Sequence, residues 1–178
     1  MKYFISDTHF FHKNIIKFSN RPFDDVEQMN NQIIHNWNAI ITKQDEVYIL
    51  GDFVVHGSGE QANNILEQLN GVKYLIKGNH EDYLDDPNFD TSHFKWIKDY
   101  HTFEHNNITF VLFHYPILEW DHFYNDSIHL FGHVHHKKKE YLRKILGPRA
   151  INVGVDVNNF FPINIDRVLK IVKSRENQ

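Results

Sequence analysis

The sequence predicts an α/β fold, and two observations carry that reading. Short apolar runs rich in β-branched and aromatic residues recur along the chain: Tyr3-Phe4-Ile5, Val47-Tyr48-Ile49-Leu50, Tyr74-Leu75-Ile76, Phe110-Val111-Leu112-Phe113 and Ile128-His129-Leu130-Phe131. Runs this short read as buried strands. Between several of them lie segments whose apolar residues repeat at spacings of three and four, as one face of a helix requires.

After the first strand, residues 12–18 suit a short helix or turn. Asp24-Asp25 can start a helix from about Val26 to Ile41, with Met29, Ile33, Ile34, Trp37, Ile40 and Ile41 on its apolar face. A second helix is expected over Glu60 to Leu69, ended by Asn70-Gly71, and a strand over Val72 to Ile76 follows. The second half is richer in strands: Trp96-Ile97 with Tyr100, Thr102-Phe103, Ile108 to Phe113 and Ile128 to Phe131 are expected to be neighbours. Asn106-Asn107 suits a hairpin turn. A strand over Ala150 to Val153 and a last helix over Asp166 to Val172 complete the pattern, with no repeat, low-complexity tract or linker.

At 178 residues, with 41% apolar and 15% aromatic content, the chain is most simply one domain spanning 1–178 with a substantial core. The absence of cysteine excludes disulfides, zinc–thiolate sites and thiol catalysis, and fits a reducing cytoplasm. Lys2-Tyr3-Phe4-Ile5 leads directly into structure, so neither a signal peptide nor a membrane span is expected, and the expected location is cytoplasmic. A formal charge of −4 argues against a broadly basic nucleic-acid binder.

Five islands of ligand-type residues follow or adjoin the apolar runs: Asp7-Thr8-His9, Gly51-Asp52, Gly78-Asn79-His80-Glu81, His114, and Gly132-His133-Val134-His135. They place carboxylate, amide and imidazole groups at the carboxyl ends of strands, the edge where α/β sheets form sites. Imidazole with carboxylate suits Mn, Fe, Co, Ni or Zn, whereas oxygen-only sets suit Mg or Ca. Seven ligands exceed one tetrahedral ion and suit two ions sharing a bridging carboxylate, an arrangement that can clamp both oxygens of a phosphoryl displacement.

Each residue alone also has a structural explanation. His114 could be a satisfied core histidine, Asp52 a turn or helix cap, and Asn79 a turn former after glycine. Taken together, Asp7, Asp52, Asn79, His114, His133 and His135 are not an independent coincidence.

In their order, D-x-H, GD, GNH with a following acid, a lone His and GHxH, the islands resemble the calcineurin-like metallophosphoesterase family, from Asp7 to His135. Glu81 departs slightly, since the family more often has Asp there. The resemblance implies a four-layer α/β/β/α sandwich, like that of small bacterial and phage members. It implies two divalent ions, most plausibly Mn, Fe, Ni or Zn: the first on Asp7, His9 and His135, the second on Asn79, His114 and His133, with Asp52 bridging. It further implies a hydroxide between the metals attacking phosphorus in line, with His80 donating to a phosphoryl or leaving-group oxygen. Glu81 or another carboxylate is expected to orient the His80 ring.

Around this site, Arg21 in Ser19-Asn20-Arg21-Pro22-Phe23 is a candidate substrate-phosphate donor, against an ordinary solvent-facing loop arginine. His12, three residues after His9, is a second candidate substrate contact. His35, His56, His93, His101, His105, His122, His129 and His136 match no ligand position and read as surface or packing residues, and spacing from Gly132 favours His135 over His136. Glu119-Trp120 and His122-Phe123-Tyr124 read as a packed cap segment rather than a base-stacking platform. Lys137-Lys138-Lys139 with Arg143-Lys144, directly after the last island, read first as a solvated hairpin arm and second as a positive patch that attracts polyanionic substrates. Asp156 and Asn158 either order the site edge or form a turn. The expected activity is hydrolysis of small, nucleotide-like phosphate mono- or diesters. A nuclease of the same fold ranks behind it, and a non-enzymatic interaction module ranks last.

Overall fold

A computed structural model describes residues 1–137 and 139–177. Among the described residues, nine strands form two sheets. The first contains β1 (Lys2–Ile5), β2 (Glu46–Leu50), β3 (Val72–Ile76), β4 (Phe94–Lys98) and β9 (Ile163–Asn164), ordered β4-β3-β2-β1-β9. Strands β1 to β4 pair in parallel and β9 closes the edge antiparallel. The second contains β5 (Tyr100–His105), β6 (Ile108–Phe113), β7 (Ile128–Phe131) and β8 (Ala150–Asn152) in that order, with only the β5–β6 pair antiparallel.

The sheets pack face to face through Phe4, Tyr48, Leu50 and Ile76 from one and Phe110, Leu112, Leu130 and Ile151 from the other. This double burial explains why the strands read as continuous apolar runs rather than alternating ones. Each fully buried Phe, Leu or Ile contributes on the order of 1.5–3 kcal/mol. On the far side of the first sheet lie α2 (Val26–Ile40) and α3 (Gly59–Gln68), whose Met29, Ile33, Trp37, Ala62, Ile65 and Leu66 cover Ile5, Val47, Ile49 and Leu75. Asp25 caps α2 by accepting from Gln28 N at 2.8 Å, and Ser58 with Gln61 forms a reciprocal capping box on α3.

The outer face of the second sheet carries α4 (Lys139–Leu146) and the segment around Trp120, joined by Val111, Phe131 and Leu146. Helix, sheet, sheet and helix thus form the four layers that the resemblance implies. The other α-helices among the described residues are α1 (Ile15–Phe18), a single turn, and α5 (Ile165–Glu176). Helix α5 sets Val168 and Val172 into the core between the sheets.

Two expectations are corrected. Trp96-Ile97 and Thr102-Phe103 are not neighbours in one sheet: β4 joins the first and β5 the second, with the chain crossing at Asp99. The basic stretch is not a hairpin arm either. Leu142 and Leu146, one turn apart, give residues 139–146 an apolar face that docks as α4. Lys138 of that stretch lies outside the described residues. Asn106 and Asn107 do form the hairpin turn, both at positive φ (52° and 63°) as a type I′ turn demands. Among the described residues, no helix is long and apolar enough to cross a membrane.

Candidate metal centre

Every island emerges at a strand's carboxyl end. Asp7 and His9 follow β1, Asp52 follows β2, Asn79 and His80 follow β3, His114 follows β6, and His133 and His135 follow β7. The two sheets meet there, where Val155, after β8, donates its N–H to Ser6 O at 3.0 Å, while Asp7 N donates to Gly51 O at 3.0 Å between the ends of β1 and β2. The chain then turns sharply. Asp7 (57°), His9 (53°), Asp52 (54°), His133 (68°) and His135 (50°) all have positive φ. Such conformations cost on the order of 1–3 kcal/mol each for non-glycine residues and concentrate at functional sites.

The glycines of the islands have a packing reason. A Cβ on Gly132 would overlap the Ser6 hydroxyl and Asp7 carboxylate, and one on Gly78 would overlap the Asp52 carboxylate. These backbones approach carboxylates so closely that no side chain fits.

Two groups of ligand atoms result, each gathered within 4.8 Å: Asp7 with His9 and His135, and Asp52 with His114 and His133. Asn79 Oδ1 lies 3.2 Å from His114 Nε2, which places it beside the second group. Asp52 spans both, with Oδ2 3.4 Å from His9 Nε2 and Oδ1 3.6 Å from His114 Nε2. His135 joins Asp7 and His9, whereas His136 is solvent-exposed.

Three local features test whether this arrangement suits divalent ions. His9 Nε2 is buried without a hydrogen-bond partner and faces the Asp52 carboxylate. Two electron-pair donors opposed in this way are reconciled by a cation between them. Asp7 is fully buried, and burial pushes its carboxyl up to about 7; the His135 charge pulls it down and Asp52 pushes it up again. It therefore needs positive charge to ionise, which a metal supplies. Finally, the far nitrogens of two imidazoles are already fixed. His114 Nδ1 lies 2.7 Å from Leu50 O and His135 Nδ1 lies 2.6 Å from Asp156 Oδ2, leaving both Nε2 atoms as acceptors. The donor set fits.

Asp52 differs from Asp7. Burial raises its pKa, but the surrounding imidazoles of His9, His114 and His80 outweigh that and hold it at about 2. It also accepts from His80 N at 3.0 Å, while Asp7 accepts from His133 N at 2.9 and 3.0 Å.

Arg21 is not placed to bind substrate. It is 4% exposed; its Nε and Nη2 each donate to Asp156 at 2.9 Å, and Nη1 and Nη2 donate to the carbonyls of Thr8 and Asp7 at 2.8 and 2.7 Å. The loop folds inward because Asp156, distant in sequence, supplies a buried carboxylate matching the guanidinium fork. Glu81 does not hold the His80 ring. Its Oε1 accepts from Asp52 N at 2.6 Å and Gly78 N at 3.1 Å, tying two ligand loops together, and burial raises its carboxyl to about 8.

His12 does reach the site. Its Nδ1 lies 3.0 Å from His9 Nδ1, and it lines a cleft of about 430 Å³ with Phe18, His56, His80, His135 and Lys137. Lys137 belongs to the basic run that directly follows the last island, whereas His56 and Phe18 carry no sequence signal as site residues; His56 stands out only by its φ of 64°. Trp120 packs on Phe123 and His129 and donates to Ser127, consistent with a cap segment.

Residues 3–93 match the family model for calcineurin-like phosphoesterases. An uncharacterized protein of Methanocaldococcus jannaschii is 37% identical over 175 residues, covering 96% of this chain and 90% of that one. The Gene 66 protein of Mycobacterium phage L5 is 33% identical over 81 residues, 44% of this chain and 39% of that protein. A crystal structure of a protein of unknown function from Aquifex aeolicus superposes with a TM-score of 0.75 at 28% identity, covering 96% and 98% of the two chains. A two-sheet sandwich with paired aspartate–histidine clusters at its strand ends is the architecture of a metal-dependent phosphoesterase. The chain belongs to the calcineurin-like phosphoesterase family.

Proposed function

We propose that the chain is a dinuclear metal-dependent phosphoesterase, hydrolysing phosphate mono- or diesters with small nucleotide-like groups. The observation that carries this reading is Asp52, whose two oxygens face one histidine of each cluster. Asp7, His9 and His135 would hold one ion and Asn79, His114 and His133 the other, with Asp52 shared. The mixed imidazole–carboxylate set suits Mn, Fe, Ni or Zn. When bound, the ions supply Lewis-acid activation of water and of the phosphoryl group.

The protein's own residues do the rest. Leu50 O and Asp156 fix the tautomers of His114 and His135. Glu81 fixes the spacing of the Asp52 and Gly78 loops. The His80 ring is exposed in the cleft, 6.0 Å from the His9 ring, and can donate a proton to a phosphoryl or leaving-group oxygen. With His9 Nε2 reserved for an ion, His9 Nδ1–H donates to His12 Nδ1, so His12 presents its own N–H to the cleft.

The test is hydrolysis of bis-p-nitrophenyl phosphate and p-nitrophenyl phosphate by metal-stripped protein titrated with Mn, Ni, Zn and Mg, beside Asp52→Asn. Metal-dependent turnover that disappears in the variant is expected. Turnover that survives it, or a wild-type chain that binds no metal, would overturn the assignment.

A further inference from the structure

Charge is segregated along this chain. Residues 137–176 carry ten Lys and Arg against four Asp and Glu, whereas residues 1–136 carry nine against nineteen. The overall charge of −4 thus conceals a cationic carboxyl-terminal segment. Folding brings six of these cations to adjoining cavities. Lys137 lines the metal cleft and also the neighbouring cavity, which it shares with Arg143 of α4 and Arg175 of α5. Arg143 and Arg175 line two further surface grooves, one with Lys144 and the other with Arg167 and Lys170. Glu140 is the one acidic side chain among the described residues lining these three cavities. Arg143 and Arg175 are near enough that, after burial, the Arg143 charge is the next influence lowering the Arg175 pKa.

We propose that this connected face, from Lys137 across α4 and α5, binds single-stranded nucleic acid and leads its phosphodiester backbone into the metal cleft. This deepens the phosphoesterase reading and rests on it for the catalytic end alone. A row of cations that runs into a site for phosphate chemistry matches a chain of phosphates. Exposed aromatic rings add the second component of single-strand binding, stacking: Phe18, 62% exposed, at the cleft, and Tyr141, 61% exposed, on α4. The grooves adjoin one another through Arg143 and Arg175 and reach the metal cleft through Lys137, a narrow path that suits a flexible strand better than a flat lipid surface or a stiff duplex.

The experiment is fluorescence anisotropy of a labelled oligothymidylate of about 20 nucleotides with the metal-free full chain, at several salt concentrations. Six cations predict a log–log salt slope near −4.2, so affinity falls roughly three-hundredfold between about 50 and 200 mM salt. Lys144→Gln/Lys170→Gln, two exposed lysines, should weaken binding at least about tenfold at low salt and flatten the slope by about 1.4. Circular dichroism checks that the variant remains folded. Unchanged affinity and slope in the folded variant overturn the proposal. So does tighter binding to duplex DNA, to phosphatidylserine vesicles or to polyglutamate. Because turnover is not measured, a chain that binds the strand but hydrolyses no ester refutes only the catalytic reading. A chain that hydrolyses esters without binding the strand refutes only this one.

Discussion

His135 Nδ1 lies 2.6 Å from Asp156 Oδ2, and the same carboxylate is held from the other side by Arg21. Burial alone would raise the Asp156 pKa, but the His135 bond and the Arg21 charge bring it below the usual carboxylate value. Asp156 therefore stays ionised and keeps the His135 proton on Nδ1, with Nε2 bare toward Asp7 and His9. Asp156→Asn should weaken one of the two ions by about 10–100-fold and leave the other near its original affinity. Calorimetric titration with Mn or Zn reads the two affinities. Equal weakening of both would refute this orienting role.

Arg21 bears on stability rather than on substrate. Arg21→Ala leaves Asp156 buried without its bidentate partner and frees the carbonyls of Asp7 and Thr8. The expected loss is about 3–5 kcal/mol in urea unfolding, with KM little changed in the folded fraction. A large rise in KM at undiminished stability would instead restore Arg21 as a phosphate contact.

The contrast between Arg21 and the ligand islands shows what a sequence reveals. Gly132-His133 and Gly78-Asn79 are legible because close backbone approach and ligation are both local, imposing residue types at fixed spacing. The strands are legible because burial on both faces leaves uninterrupted apolar runs. The Arg21–Asp156 pair joins residues 135 apart, so no local pattern announces it and the loop looked solvent-facing. The crossover at Asp99 was hidden for the same reason, since sheet membership of β4 and β5 depends on partners distant in sequence. Helix α4 was masked by its charges, with only Leu142 and Leu146 marking an inner face.

His129 sets a pH dependence away from the metal ligands. It is fully buried, with Nδ1 3.3 Å from Val111 O and Nε2 3.1 Å from Tyr115 O, and burial lowers its pKa to about 4. The unfolded chain binds this proton near 6.5 and the folded one only near 4, so its contribution is complete above 6.5 and is lost as pH falls toward 4. That loss amounts to about 2 kcal/mol by pH 5. His9 and His12, also lowered to about 4 by burial, act in the same window. His129→Gln should therefore reduce, without abolishing, the drop in Tm between pH 7 and pH 5. A drop equal to wild type would show that this imidazole does not titrate on unfolding.

His80 separates chemistry from metal binding. Its backbone N–H, not its ring, holds Asp52 Oδ1 at 3.0 Å, and that bond survives truncation of the side chain. His80→Ala should therefore retain two ions per chain by elemental analysis. Its ring is the exposed imidazole beside His9 in the cleft, so under the proposed function its loss would remove a proton donor to the phosphate. Turnover of bis-p-nitrophenyl phosphate is expected to fall by roughly 10²–10⁴-fold. The deficit should be smaller for the p-nitrophenolate leaving group, which needs little protonation, than for an alkyl ester. Near-normal turnover of both esters with two ions bound would remove His80 from the mechanism, whereas loss of metal would assign its ring to holding the site.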